Sequence, residues 1–369
     1  MASGRPHVGD WAGMRHVIVG LLVAVAAPAA GQPVAAPASE EAMAAARAAF
    51  PPVAEPERLE PQQAVPGCGE RPLPRGAADA LPEASHAALK RFQAKHQGLG
   101  LVVLEGGAII AEHYAGDFGP DSRFQSFSMA KSLMALAVGA AIGDRILADE
   151  RQPLSRFVAR PGALGSVPLV QFLTMSSGME QFRPDLDPRN RQLYFGPDIS
   201  GAALSAQIVD APGSRFSYNN ASSQVVGEAL QQGLLRAGRG DYAQYLSSRI
   251  WCAIGASPAS LWVEAPGRPR FYMGVSASVR DWARVGQLIL DRGRAAGQRI
   301  IPQTYLDRML APSPANSIYG YQVWRGSPHV DRRGYGGGLD LVVARAEPFR
   351  ADDVIFFDGF GGQRVYVVP

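Results

Sequence analysis

Lysine is nearly missing from this chain: of 36 basic side chains only Lys90, Lys95 and Lys131 are lysines, the rest being arginine. Cysteine is as scarce, with Cys68 and Cys252 alone, too few for a disulfide scaffold or a cysteine-only zinc site. At most they make one bridge, and because spacing gives no geometry the expectation is two unpaired thiols. No His-Glu-x-x-His or comparable cluster occurs, so zinc hydrolysis and metal or cofactor chemistry generally are not expected. No Gly-x-Ser-x-Gly elbow occurs either, and His86, His96, His113 and His329 have no evident serine partner, which removes a Ser-His-Asp hydrolase. Charge of one sign is also lacking. The 36 basic and 33 acidic residues leave +3, without the concentrated basic surface that nucleic acid usually demands. No apolar run reaches the about 20 residues of a membrane span. What is present is globular in character: 369 residues, 47% hydrophobic and 19% charged, with no fixed-period repeat. Glycine and proline, 41 and 29 residues, are too few and too aperiodic for a collagen or a wholly disordered polymer.

The N-terminus reads as a targeting segment. Arg15 and His16 precede an apolar run from Val17 to Ala30, with Gly31 after it. A basic flank, a short apolar stretch and small residues at the cut predict a secretory signal peptide over residues 1–31. Met14 directly before Arg15 is an alternative start. A periplasmic or secreted destination follows, and there a Cys68–Cys252 bridge is allowed. Residues 32–81 are rich in Ala, Pro and Glu and read as a linker wrapping loosely over the domain, with a short helix at most over Glu41–Phe50. Organised sequence occupies residues 82–369. Helical spacing runs from Ala84 to Gln97 with Ser85 as cap, and the apolar runs Leu101–Glu105 and Ala108–Tyr114 flank Gly106-Gly107 as a hairpin. This is an α/β beginning.

Three patterns carry chemistry. In Phe124-Gln125-Ser126-Phe127-Ser128-Met129-Ala130-Lys131-Ser132 a long apolar helix begins, and Ser128 and Lys131 share one of its faces. A lysine among apolar neighbours is open to a lowered pKa, so it can serve as a base that activates Ser128 without histidine. The unfilled amides at the helix start would favour an oxyanion. Read without chemistry, Ser128 is a helix cap and Lys131 reaches out of a core helix. Further on, a Pro212-Gly213 turn leads to Tyr218-Asn219-Asn220, where Tyr218 and Asn220 at i and i+2 would share one side of an extended segment. A tyrosine beside a lysine can relay a proton, and an asparagine amide can hold a carbonyl. Finally, Gly359-Phe360-Gly361-Gly362-Gln363 opens a β-rich run at Arg364–Val368, where a strand N–H could complete an oxyanion hole.

Ser-x-x-Lys, Tyr-x-Asn and a Gly-rich strand, in that order, resemble the serine β-lactamase and penicillin-binding superfamily, in its class C-like branch near 6-aminohexanoate-dimer hydrolases and related esterases. Leu173–Met179, Gly274–Arg284 and Tyr319–Trp324 also look like recurring segments of that family. The resemblance implies an antiparallel sheet flanked by helices, built from both chain ends, with a helical lobe inserted over about 144–266 and the site in the groove. It implies that Ser128 is acylated, that Lys131 activates it, and that Tyr218 moves the proton to the leaving group and later activates water. Asn220 would orient the acyl group, while the N–H groups of Ser128 and Gln363, with Gly361 and Gly362 beside them, would bind the oxyanion. The expected partner is a small ester or amide, and the oligomeric state is left open. Phe360 stands where true β-lactamases carry a basic residue, which favours uncharged esters or amides unless Arg364 or another arginine substitutes. β-Lactamase or D-Ala-D-Ala peptidase activity at the same site is the alternative, and a non-catalytic binder or sensor keeping the fold is another. Gln181–Ser200 reads as a loop over the groove or on the surface. The family's usual further strand and closing helix do not follow Val368. A missing C-terminal strand and helix, an open edge on strand Arg364–Val368, and a truncated or compromised enzyme are therefore expected.

Overall fold

The computed structural model describes residues 16–21, 50–77, 79–182, 187–326, 332–334, 342–344 and 353–369. The resemblance's α/β plan is met: two antiparallel sheets and a set of helices enclose one central helix. The Gly106-Gly107 signal gives the hairpin of strands β3 (Gly100–Glu105) and β4 (Ala108–Tyr114), both glycines taking positive φ at the turn. From the chain's other end come β9 (Ile355–Gly359) and β10 (Gln363–Val368), and Trp324–Arg325 adds β8. The strand between the two hairpins is β1, His16–Leu21. The order is β8-β9-β10-β1-β3-β4, with every neighbour antiparallel.

This strand corrects one expectation. The edge of β10 is not open: Val17 stands opposite Val367 and Val19 opposite Val365, while the other side of β1 pairs with β3. The unpaired N–H and C=O groups of β10 and β3 are thereby satisfied by backbone from the stretch read as a leader. The rest of residues 1–31, and Glu41–Ala49 of the expected short helix, lie outside the described residues.

Between the chain ends lies the helical part. Helix α1 (Glu83–Lys95) begins after Pro82, not with Ser85 as its cap. Helix α2 (Met129–Gly143) is apolar around its whole circumference and buried from Met129 to Ala141, the mark of an element inside the core. Of the helices α3 (Leu169–Leu173), α4 (Pro188–Phe195), α5 (Ile199–Leu204), α6 (Asn220–Arg236) and α7 (Tyr242–Leu246), α6 packs on it, α3, α5 and α7 pack on α6, and α4 packs on α5. The expected insert over about 144–266 ends earlier. Ala259–Ala265 is strand β6, in a second sheet of order β2-β6-β7-β5 with Gln62–Val65 as β2, Val275–Ser278 as β7 and Arg123–Gln125 as β5. Helices α8 (Val279–Leu290) and α9 (Gln303–Leu310) follow, α8 lying across β1, β3 and β10.

The expected linker is not loose over its later half. Phe50–Val65 forms a strap: Val53 O accepts from Gln125 N at 2.9 Å, Pro56, Leu59 and Val65 are buried, and β2 pairs with β6. The expected unpaired thiols are in fact joined, Cys68 to Cys252 with Cα atoms 5.0 Å apart, within the usual disulfide range. Their approach follows from packing, since Arg71 N donates to Gly255 O at 3.1 Å beside them. Gln181–Ser200 is likewise more than a loop: Asp187 caps α4 through Arg189 N, and Asp198 caps α5.

Candidate active site

Ser128 sits at the N-cap of α2 but does not cap it, for its side chain makes no bond to the first-turn amides. Those amides bond back locally, Met129 N to Ser126 O, Ala130 N to Phe127 O and Lys131 N to Ser128 O. The hydroxyl instead faces Lys131, whose Nζ is 2.7 Å from Ser128 Oγ and 3.1 Å from Tyr272 O. The cap reading of Ser128 therefore fails. Lys131 is enclosed, not reaching outward, while Ser128 is only partly buried. Desolvation holds the Lys131 amine well below its ordinary pKa; the carboxylate of Asp358 pulls the other way and is itself paired with Arg364. Phe127, just before the serine, takes φ +44°, a left-handed conformation uncommon away from glycine, with its N–H tied to Gln125 Oε1 at 3.2 Å.

Tyr218 reaches the same spot. The Lys131 ammonium lies 4.9 Å from its ring centroid and 5.7 Å from that of Tyr272. The tyrosine is steadied by stacking on Trp324 at 5.8 Å and by a hydrogen bond on each side, from Ser217 N to Met175 O and from Asn219 N to Met175 Sδ. The shared extended side expected for Tyr218 and Asn220 is not formed, because Asn219 caps α6 through Ala221 N and Asn220 is already helical. Asn220 Nδ2 donates to the Tyr194 hydroxyl at 2.5 Å, and its buried Oδ1 has no hydrogen-bond partner.

The glycine-rich turn between β9 and β10 packs against the segment that carries Ser128. A Cβ at Gly359 would lie 2.4 Å from Ser126 O, so only glycine permits the approach. Phe360 stacks edge-on against Phe127 at 5.5 Å, and Gly361 and Gly362 take φ +80° and +86°. Gln363 stands opposite Gly359 in the ladder, its amide turned back to Phe360 O at 3.1 Å. Arg364, the expected substitute for a basic residue, is committed to Asp358 and to the carbonyls of Gly359 and Gln363.

Sequence reasoning missed several neighbours. Tyr272, buried and donating to Leu193 O at 2.5 Å, offers its backbone carbonyl to Lys131, a role no side-chain pattern signals. Arg270 stacks on Trp262 at 3.8 Å and donates to Tyr194 O, with a buried Nη1 that has no partner. Gln322, within the Tyr319–Trp324 segment, accepts at its carbonyl from Ser132 Oγ and at Oε1 from Ser223 Oγ, and donates to Phe172 and Leu173 carbonyls. It thus knots α2, α3 and α6 behind the site. A cleft of about 350 Å³ beneath the strap, lined by Ala54, Gln62, Arg123 and Ser276 among others, contains none of the expected site residues. Among the described residues no group of three His, Cys, Asp or Glu side chains could hold a metal ion, and no helix is long and apolar enough to cross a membrane.

A helix-borne Ser-Lys pair, a tyrosine beside the lysine and a Gly-rich hairpin against the serine's segment thus meet in one place. The family described as "Beta-lactamase" matches residues 78–369, and the chain belongs to it. A 6-aminohexanoate-dimer hydrolase of Paenarthrobacter ureafaciens is 30% identical over 229 residues, 57% of this chain and 56% of that protein. The match therefore spans little more than half of that relative's length. Among solved structures, a Bacillus anthracis protein assigned as a 6-aminohexanoate-dimer hydrolase shares the fold at TM-score 0.64 and 20% identity, over 85% of this chain and 86% of that one. A Bacteroides dorei DSM 17855 protein assigned as a β-lactamase does so at TM-score 0.56 and 18% identity, over 77% and 90%.

Proposed function

We propose that this protein is a serine hydrolase that cleaves an ester or amide of a small molecule through an acyl-enzyme on Ser128. The observation that carries the reading is the 2.7 Å contact between Ser128 Oγ and the enclosed Nζ of Lys131, an amine that burial biases toward its neutral, basic form. Neutral Lys131 takes the Ser128 proton as Oγ bonds to the substrate carbonyl carbon. The bond to the leaving alcohol or amine then breaks, and the proton passes through Tyr218 to that group. Water, activated by Tyr218, releases the acid and restores the serine. The oxyanion goes to the Ser128 N–H and the Gly361–Gln363 turn. Asn220 orients the acyl group after exchanging its bond to Tyr194.

Phe360 at the position of a basic residue, and the commitment of Arg364 to Asp358, support uncharged substrates. A second reading, cleavage of a β-lactam or a D-Ala-D-Ala peptide, draws on the unpartnered Nη1 of Arg270, two residues before the carbonyl that holds Lys131 and able to meet a carboxylate. A periplasmic or secreted location is supported by the leader pattern and the Cys68–Cys252 pair, and opposed by the place of His16–Leu21 in the sheet. A fluorophosphonate probe is expected to label the protein and to fail on Ser128→Ala; no labelling of the wild type would leave a binder that keeps the fold. Among substrates, a p-nitrophenyl ester and a linear amide dimer should turn over, and fast turnover of a chromogenic cephalosporin alone would favour the second reading.

A further inference from the structure

The strap brings one aromatic ring to the nucleophile from outside the family-matched part of the chain. Phe50 precedes residues 78–369, yet its ring lies 5.7 Å from Phe127, which immediately precedes Ser128. It also lies 5.9 Å from Tyr194, 5.7 Å from Phe195 and 6.3 Å from Trp262. Most of these contacts are edge-on, the arrangement in which ring edges meet ring faces favourably. The ring is therefore the meeting point of the serine's own segment, helix α4 and strand β6. Its backbone has little freedom to swing away. Pro51 and Pro52 fix φ, the next residue is hydrogen-bonded through Val53 O to Gln125 N, and the Val53 side chain faces Gly361 of the oxyanion turn. Yet the cluster is not sealed: Phe50 is half-buried and Phe195 is 50% exposed, more than most large apolar side chains of the chain. A partly open aromatic corner against the ring of Phe127, the residue before Ser128, is a place for the apolar part of a substrate.

We propose that Phe50 is a specificity-determining residue: it forms the outer wall of an apolar subsite beside Ser128 and limits the length of the apolar group accepted there. The proposal rests on Ser128 being the reacting nucleophile. A wall touching a non-reacting part of the substrate acts alike on ground and transition states, so its effect falls on KM more than on kcat. Removing the ring opens room for several methylenes, each worth severalfold in binding. Enlarging it closes that room.

The test compares p-nitrophenyl acetate with p-nitrophenyl octanoate in wild type, Phe50→Ala and Phe50→Trp. The ratio of kcat/KM, octanoate over acetate, is expected to rise about tenfold or more in Phe50→Ala, mostly through KM, and to fall in Phe50→Trp. In a Ser128→Ala background, titration with octanamide and acetamide reads the same selectivity without chemistry, and Phe50→Ala should raise the relative affinity for octanamide. Selectivity in the titration without any ester turnover in the wild type would sink the hydrolase reading and keep the subsite. Ratios within about twofold of wild type in both assays would overturn the subsite. Should Phe50→Ala fail to fold, the Phe50→Trp arm decides alone, an unchanged ratio there overturning the proposal.

Discussion

Burying the amine of Lys131 costs stability. An ammonium inside an apolar helix is poorly solvated, and its folded-state pKa is depressed with desolvation as the main cause. The sign of the consequence is fixed by linkage. Between the lowered folded value and the ordinary value of about 10.4 the unfolded chain holds more protons, so stability rises with pH through that window. Below the folded value both states are charged and the whole burial cost is felt. Lys131→Met should therefore melt higher than wild type at pH 6, by a few degrees, with the gap closing as pH approaches about 10. The same variant should lose turnover by about a thousandfold or more, and the acid limb of kcat/KM in the wild type should lie well below pH 10. A Lys131→Met melting curve below wild type at pH 6 would mean that the amine's bonds to Ser128 and Tyr272 outweigh its desolvation.

The elements of the fold are fastened by buried polar side chains that hydrogen-bond one another. The Gly274–Arg284 segment is such a case. Ser278 caps α8 by accepting from Asp281 N, Asp281 accepts from Ser278 Oγ at 2.6 Å and from Ser257 N at 3.0 Å, and Arg284 holds the same carboxylate at 3.0 Å. The Arg284 and Asp281 side chains are 3% and 0% exposed, and Arg284 extends to the carbonyl of Arg71, near the disulfide. Burial pushes the Asp281 carboxyl upward, opposed first by the Ser278 hydroxyl, then by the Ser257 N–H and by the charge of Arg284. Arg284→Met should lower the free energy of unfolding by about 3–5 kcal/mol in a urea titration, because it strands a buried carboxylate. Replacing Asp281 by Asn in the same chain should recover part of that loss, and a cost below about 1 kcal/mol for Arg284→Met would show the pair to be dispensable. The sequence could be read where structure is local: the Gly-Gly hairpin, the apolar helix α2 and the Ser-x-x-Lys face depend on neighbours a few residues away. It was opaque where partners are remote. Strand β2 carries Gln62-Gln63, no apolar alternation, and exists because it pairs with Leu261 and Trp262 about two hundred residues later. Phe50 lies in a proline-rich stretch whose composition says linker, and only its contacts with α4 and β6 make it part of the site. Gln322 stands out only as part of the Tyr319–Trp324 segment and not for its role, which lies in satisfying carbonyls at the end of α3.

At the scale of the whole molecule, the use of His16–Leu21 decides between two descriptions of the same chain. As strand β1 it occupies an interior slot, bonded to β10 on one side and β3 on the other, with α8 across it. As part of a cleaved leader it would leave that slot, exposing two strand edges, one of which follows directly from the glycine turn against Ser126. An exposed pair of edges costs hydrogen bonds and invites pairing with another chain. The two uses exclude each other in one molecule, so their difference is measurable. Removing residues 1–31 should lower the thermal midpoint by about 3–6 °C, the shift expected for the loss of a few kcal/mol in a chain of this size. It should also promote aggregation, and a synthetic peptide with the sequence of His16–Leu21 should restore part of the lost stability when added in excess. Because β10 follows the turn that packs against Ser126, two residues before Ser128, probe labelling at Ser128 should fall and recover in parallel. An unchanged midpoint in the shortened chain, with labelling intact, would show that the sheet does not need β1 and that the segment is free to act as an export signal.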